Sequence, residues 1–435
     1  MKFCVSMLVL LLAISPAMAG KTSFHTLDNG LQVILKENHS SPLISSVVVV
    51  KAGSKYEDDK NNGFTHLLEH MLFNGTENRT REDINEGIKD YGGYINAFTR
   101  QEMTGYLVVM PAEFIEEGLD IQSDQLFNSI LPADEFPKER DIVVEEIKKD
   151  SDVESNVAYD YFNSVVFKGT PYARPVIGYE ETIRNVTRDE VMAYYKEYYV
   201  PNNMIAFVTG DFESDAMLDL IKKYYGNVSK GETPKLETFE ISPPYGTEIH
   251  IEEYPSRLNY INISIPGPLY SDSAYFAFDV LSQILNSDTS PLTKALTGGE
   301  KPLATDVSVS LDMQAEYTMM DISIRSNSKD NIVPIVKAVM ATLEDLSQRN
   351  FSSDDVRRVV IPNKVYEIKL EEKLHYYGIM KAPYLATAGF DFLDHYVDNL
   401  SDVTPDDVNS AARRYLSDEN YVACALVAEQ EAGNE

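Results

Sequence analysis

The chain repeats itself, with a period of about 215 residues. VTRDEVMAYYKEYYVPNNMIAFV (186–208) and VTPDDVNSAARRYLSDENYVACA (403–425) follow one plan. Each opens on Val-Thr, so that Thr187 or Thr404 can cap a helix with Glu190 or Asp407 three positions on. Each then passes through a Tyr-aliphatic pair and a polar turn carrying Asn203 or Asn420 into a β-type run, MIAFV or YVACA. Two more pairs keep the same order. PLISSVVVVKAGS (42–54) and LNYINISIPGP (258–268) are strand-like, and lead into the helix patterns GFTHLLEHMLF (63–73) and YFAFDVLSQIL (275–285). FPKERDIVVEEI (136–147) then matches FSSDDVRRVVIP (351–362). Three ordered matches make the chain two copies of one α/β unit.

At 435 residues the chain exceeds one hydrophobic core, which agrees with two units. The stretch KGETPKLETFEISPPYGTE (230–248), rich in Pro, Gly and charge, reads as their junction. The expected domains are a first unit at 20–230, a linker at 231–247 and a second unit at 248–435. Strands often follow one another through short polar turns, as in GGYINAFTRQEMTGYLVVMP (92–111), which predicts an antiparallel pair. The expected class is α+β: two homologous units, each a mainly antiparallel sheet with helices on one face.

Residues 1–19 are set apart from the fold. Lys2, the apolar run Val5 to Ile14 and Ala17-Met18-Ala19 have the order of a secretory signal peptide, with a mature start near Gly20. The run is shorter than the roughly 20 residues a membrane span needs, and no other segment approaches one. Export is expected, to a periplasm or alternatively to the extracellular medium. Cys4 falls in that leader, which leaves Cys424 alone in YVACALV; it reads as a small buried hydrophobe and allows no internal disulfide. A net charge of −31 argues against nucleic acid as a partner.

Two of the seven histidines lie four apart in FTHLLEHMLFNGT (64–76). Asn62-Gly63 and Asn74-Gly75 bound a predicted helix of about three turns. On it His66 and His70 leave one face, about 5–6 Å apart at Cβ, a span that one zinc ion can bridge. Glu69 reaches the same side without ligating, where a general base for an activated water belongs. A core helix explains Leu67, Leu68, Met71, Leu72 and Phe73 equally well, but leaves the His/Glu/His spacing to coincidence. Composition alone gives roughly 0.02 such matches per chain.

A catalytic zinc takes three protein ligands and keeps one position open. DEFPKERDIVVEEIKKD (134–150) offers the third as a helix, with Glu139 and Glu146 on one stripe at 3–4 residue steps. Glu146, preferred over Glu145, would ligate, while Glu139 accepts a hydrogen bond from a ligand histidine and fixes its tautomer. A solvated acidic helix face is the plain alternative for this run.

These residues resemble a known family. His66-x-x-Glu69-His70 within HLLEHMLFNGT is similar to the inverted-zincin motif of the pitrilysin and insulin-degrading-enzyme peptidases, which include mitochondrial processing peptidases and two-domain bacterial enzymes. ERDIVVEE resembles the family's glutamate helix and places Glu146 76 positions beyond His70, with Glu139 as the supporting acid. GGYINAFTRQEMTGY resembles the family's edge strand, which implies that Asn96, Ala97, Phe98 and Thr99 hold a peptide substrate as an added strand. GTPYARPVIG (169–178) also matches.

The resemblance implies a zinc endopeptidase for short or unfolded peptides, with Zn2+ on His66, His70 and Glu146 and Glu69 as base. A non-catalytic peptide-binding or assembly subunit is the alternative, and members of that kind usually lose the set retained here. The second copy has no such set: Asp279, Ser282 and Gln283 stand opposite His66, Glu69 and His70, and Ile361 opposite Glu146. Where the family's second unit often supplies an Arg and a Tyr seven apart, Gly298 and Thr305 stand in LTGGEKPLATDVS (296–308). That departure implies a homodimer, or a heterodimer with a related subunit that donates the pair.

Overall fold

The computed structural model describes residues 21–232, 239–416 and 420–429. The expected leader at 1–19 and part of the expected linker lie outside them. Among the described residues eleven strands form two sheets: β1 (Thr22–Thr26), β2 (Gln32–Glu37), β3 (Leu43–Val50), β4 (Tyr94–Thr99), β5 (Thr104–Pro111) and β6 (Met204–Gly210), then β7 (Ile249–Tyr254), β8 (Asn259–Pro266), β9 (Asp306–Met313), β10 (Thr318–Ser326) and β11 (Val422–Ala428). Sheet one runs β1-β2-β6-β3-β5-β4 and sheet two β7-β11-β8-β10-β9. Leaving out β1, the two orders superimpose strand for strand. Each sheet is antiparallel except for one pair in the same place, β2 with β6 and β7 with β11.

The repeated sequence signals build repeated local structure. Thr187 and Thr404 cap the helices Arg188–Tyr198 and Pro405–Tyr415, and each closes a reciprocal capping box with Glu190 or Asp407. Both helices end just before the strand that takes the parallel partner, β6 or β11. The helix predicted over 63–73 is shorter than expected, Phe64–Met71. The Asn74 side-chain amide donates to the His70 carbonyl at 3.1 Å, which satisfies an orphan carbonyl of its last turn.

Helices cover both sheet faces rather than one, which corrects the expectation of a one-sided sandwich. Each unit keeps a main core on one face of its sheet. The opposite face of sheet one, with Val47, Val49, Leu107, Val109, Ile205 and Phe207, packs against Tyr377, Ala382 and Leu385 of helix Leu374–Thr387. That helix belongs to the second half of the sequence. Conversely, Ala158, Phe162 and Val166 of helix Glu154–Val166, from the first half, pack with Val422, Cys424 and Leu426 of β11. The physical reason lies in the strands of sheet one: SSVVVV, GYLVVM and MIAFV are apolar on both sides, so both sides must be covered. Each half lends a helix to the other's sheet. Among the described residues no helix is long and apolar enough to cross a membrane.

Candidate metal centre

Helix Phe64–Met71 carries both histidines, and its start is built by residues outside it. Gly63 takes φ +95°, and a side chain there would collide with Gly178 Cα at 2.9 Å, so glycine lets GTPYARPVIG lie across the helix start. No side chain of the helix caps it. The buried Glu57 does so from upstream, accepting from the Gly63 N–H at 2.8 Å, the Thr65 N–H at 2.7 Å and the Asn62 amide at 3.0 Å. Asn62 in turn donates to the Pro175 carbonyl at 3.1 Å.

One donor atom each from His66, His70 and Glu146 lies within 4.8 Å of the others, and among the described residues no other such group of histidine, cysteine or acidic side chains occurs. His70 Nε2 is 3.4 Å from Glu146 Oε2, and its Nδ1 is 3.3 Å from Glu139 Oε2. The two imidazole centroids are 4.9 Å apart. Glu139 is itself held by Arg81 Nη1 at 2.9 Å, and the same nitrogen donates to Asn74 at 2.8 Å. Glu145 points elsewhere, forming an exposed pair with Lys148. The stripe of Glu139 and Glu146 thus meets the histidine helix, with Glu139 buried and the Glu146 side chain 46% exposed.

The charges are set unequally. Burial drives His66 down to about 4, helped by the neighbouring His70. Burial works the same way on His70, but its bonds to Glu139 and Glu146 win and raise it to about 9. Burial pushes Glu69 above the usual carboxylate range, although the Thr99 hydroxyl donates to it at 2.5 Å. The hydrogen bond to His70 holds Glu146 below that range. His66 Nδ1 is buried and makes no hydrogen bond, an orphan beside the bonded His70. Two imidazoles and one carboxylate, converging with one donor left unpaired, are a donor set that fits zinc.

Asn96, Ala97, Phe98 and Thr99 lie on β4, the edge of sheet one, paired with β5 on one side alone. The edge strand and the acidic side chain on the helix meet directly in the Thr99–Glu69 bond. Glu57 and Arg81 have no place in the sequence patterns, because an irregular segment and a tertiary contact leave no spacing to read. In the second unit Gln283 donates to Asp279 at 2.9 Å, Tyr396 donates to it at 2.5 Å, and Asn363 donates to Gln283 at 2.7 Å. Ile361 is exposed on its helix. Gly298 follows helix Pro291–Thr297, and the Thr305 N–H pairs with the Arg325 carbonyl.

Residues 32–180 match the family described as Insulinase (Peptidase family M16), and residues 185–361 match the Peptidase M16 inactive domain. The chain is 28% identical over 335 residues to the probable mitochondrial-processing peptidase subunit beta of Arabidopsis thaliana, a match covering 76% of this chain and 62% of that protein. It is 29% identical over 269 residues to cytochrome b-c1 complex subunit 1 of Mus musculus, covering 61% and 55%. It is 28% identical over 267 residues to the uncharacterized zinc protease YmxG of Bacillus subtilis, covering 61% and 64%. The matched region thus spans less than two thirds of each relative. The fold agrees with the crystal structure of a protease from Helicobacter pylori, at a TM-score of 0.85 and 24% identity, over 94% of this chain and 99% of that one. With both unit types matched in order, the chain belongs to the M16 family of insulinase-like peptidases.

Proposed function

We propose that this chain is a zinc-dependent endopeptidase that hydrolyses short or unfolded peptides. The observation that carries this reading is the convergence of His66, His70 and Glu146 beside the half-buried Glu69. Those three would hold the ion, which when bound polarises a scissile carbonyl and acidifies water toward a pKa of about 7. Glu139 accepts from His70 Nδ1 and so leaves Nε2 free to face the ion. The open edge of β4 would take the peptide as an added strand along Asn96 to Thr99. Glu69 takes the proton of the attacking water and returns it to the leaving amine. Its raised pKa suits that exchange, because a carboxylate well below neutrality is a poor proton carrier.

A second reading is a non-catalytic subunit. One relative is a subunit of the cytochrome b-c1 complex, and Gly298 and Thr305 supply neither guanidinium nor phenol. Under the peptidase reading, a second copy or a related chain contributes those groups. The leader sequence supports export, to a periplasm in the reading preferred here.

Metal analysis and peptide cleavage of wild type and Glu69→Gln, with and without co-purifying protein, decide between the readings. The peptidase keeps one zinc per chain in the variant while cleavage falls about 10²–10⁴-fold. A chain that binds no zinc, or a Glu69→Gln variant as active as wild type, overturns the reading.

A further inference from the structure

Glu102 lies three residues beyond Thr99 in the turn between β4 and β5, and it is buried. Four donors from four separate segments converge on its carboxylate. Oε1 accepts from Lys55 Nζ at 2.9 Å, from the Tyr172 hydroxyl at 2.5 Å and from the Ala315 N–H at 3.0 Å. Oε2 accepts from the Thr387 hydroxyl at 2.5 Å. Lys55, also buried, reaches Glu316 Oε2 at 2.7 Å, and Tyr172 contacts the same oxygen. Beside them the Gln314 amide donates to Gln101 Oε1 at 3.0 Å.

The origin of these groups is the point. Lys55 and Tyr172 come from the first half of the sequence. Gln314, Ala315 and Glu316 form the β9–β10 turn of sheet two, and Thr387 ends helix Leu374–Thr387. A buried lysine with two carboxylates returns little net stability, because desolvation offsets most of the attraction. Such a cluster does fix one geometry, since every member must be satisfied in place. The geometry it fixes is that of the turn Arg100–Met103, closed by Arg100 N–H to the Met103 carbonyl at 2.8 Å. The residue leading into that turn is Thr99, whose hydroxyl holds Glu69.

We propose that Glu102 is a positioning residue: by tying the β4–β5 turn to the β9–β10 turn and to Thr387, it lets the unit without metal ligands set where Thr99 holds Glu69. This rests on the reading of Glu69 as the base. The tie itself makes a claim about mobility that holds with or without metal. Loss of one hydrogen bond to a charged acceptor should loosen the turn, and small displacements of a catalytic group are expensive in rate.

The test uses the full chain with Thr387→Val, which removes the donor at nearly constant shape, and Thr387→Ser, which keeps it. In metal-free protein, amide hydrogen exchange over residues 98–105 should quicken about tenfold in Thr387→Val and return to the wild-type rate in Thr387→Ser. In the zinc-loaded protein, kcat should fall about tenfold in Thr387→Val, with KM and zinc content unchanged, and recover in Thr387→Ser. Unchanged exchange over 98–105 overturns the proposal. So does quickened exchange with an unchanged kcat, which would make the cluster a stabilising contact only. A wild-type chain that holds zinc but cleaves nothing refutes the peptidase reading, and with it the role given to Glu69, even where the exchange result shows that the tie exists.

Discussion

Cutting the chain at its junction should abolish independent folding of the first unit. Residues 20–230 carry sheet one but not helix Leu374–Thr387, so the cut bares Val47, Val49, Leu107, Val109, Ile205 and Phe207, each at most 8% exposed in the intact chain. Exposing a side chain of this kind costs about 1.5–3 kcal/mol, so the six together come to roughly 9–18 kcal/mol. A domain of this size has a net stability of about 5–15 kcal/mol, which the loss matches or exceeds. The same cut leaves helix Glu154–Val166 with its apolar stripe and no β11 to cover it. Expression of 20–230 alone, of 248–435 alone and of both together, followed by size exclusion and urea unfolding by circular dichroism, tests the estimate. The first half alone should aggregate or remain loosely packed, and co-expression should restore a 1:1 complex with one cooperative transition. A soluble monomeric 20–230 with its own sharp transition refutes the reasoning, because sheet one would then not need the borrowed helix.

Two further outcomes follow from local geometry. Gly378 lets helix Leu374–Thr387 approach β3, for a Cβ there would lie 2.3 Å from Val47 Cγ2. Gly378→Ala should therefore lose about 1–3 kcal/mol by overpacking, against a helix-propensity gain of about 1 kcal/mol, and lower the urea midpoint. Asp160 is pushed up to about 6 by burial, with nearby Asp150 adding to it, whereas it would titrate near 3.9 in the unfolded chain. The folded state then binds the extra proton between those values, so this contribution is present below pH ~4 and lost as pH rises through ~6. Asp160→Asn should flatten that fall, gaining at most about 3 kcal/mol at pH 7.5 and almost nothing at pH 4, as read from denaturation midpoints across that range.

The duplication was legible because it is written in local chemistry. Thr187 with Glu190 and Thr404 with Asp407 form their capping boxes whatever the tertiary context, and the strands that follow them take equivalent places in both sheets. The exchanged helices were not legible. An apolar stripe such as Ala158, Phe162 and Val166 records that a helix is buried, not which sheet buries it. The strands did carry a partial signal. Runs such as SSVVVV and MIAFV lack the alternation of a one-sided sheet, and strands of that kind demand cover on both faces of sheet one. The site divides the same way. His66, Glu69 and His70 are fixed by helical spacing, and Glu139 and Glu146 by a second helical stripe. Arg81 and Glu102 act across the fold, where no interval in the sequence predicts a contact, and Glu57 acts from an irregular segment with no period to read.

The second unit shows how the same fold closes where the metal-ligand pattern is missing. Where the first unit presents two imidazoles, the second presents Asp279 and Gln283, and their polar atoms are turned on one another and on Tyr396 and Asn363. That circuit satisfies its buried groups with no ion, as burial of polar side chains requires. In the first unit the counterpart circuit stays open at His66 Nδ1. One copy therefore ends its hydrogen bonding within the protein and the other does not, and the copy that is closed is the one whose β9–β10 turn grips the hairpin of its neighbour. Under the peptidase reading, one strand order serves ion binding in the first unit and support in the second.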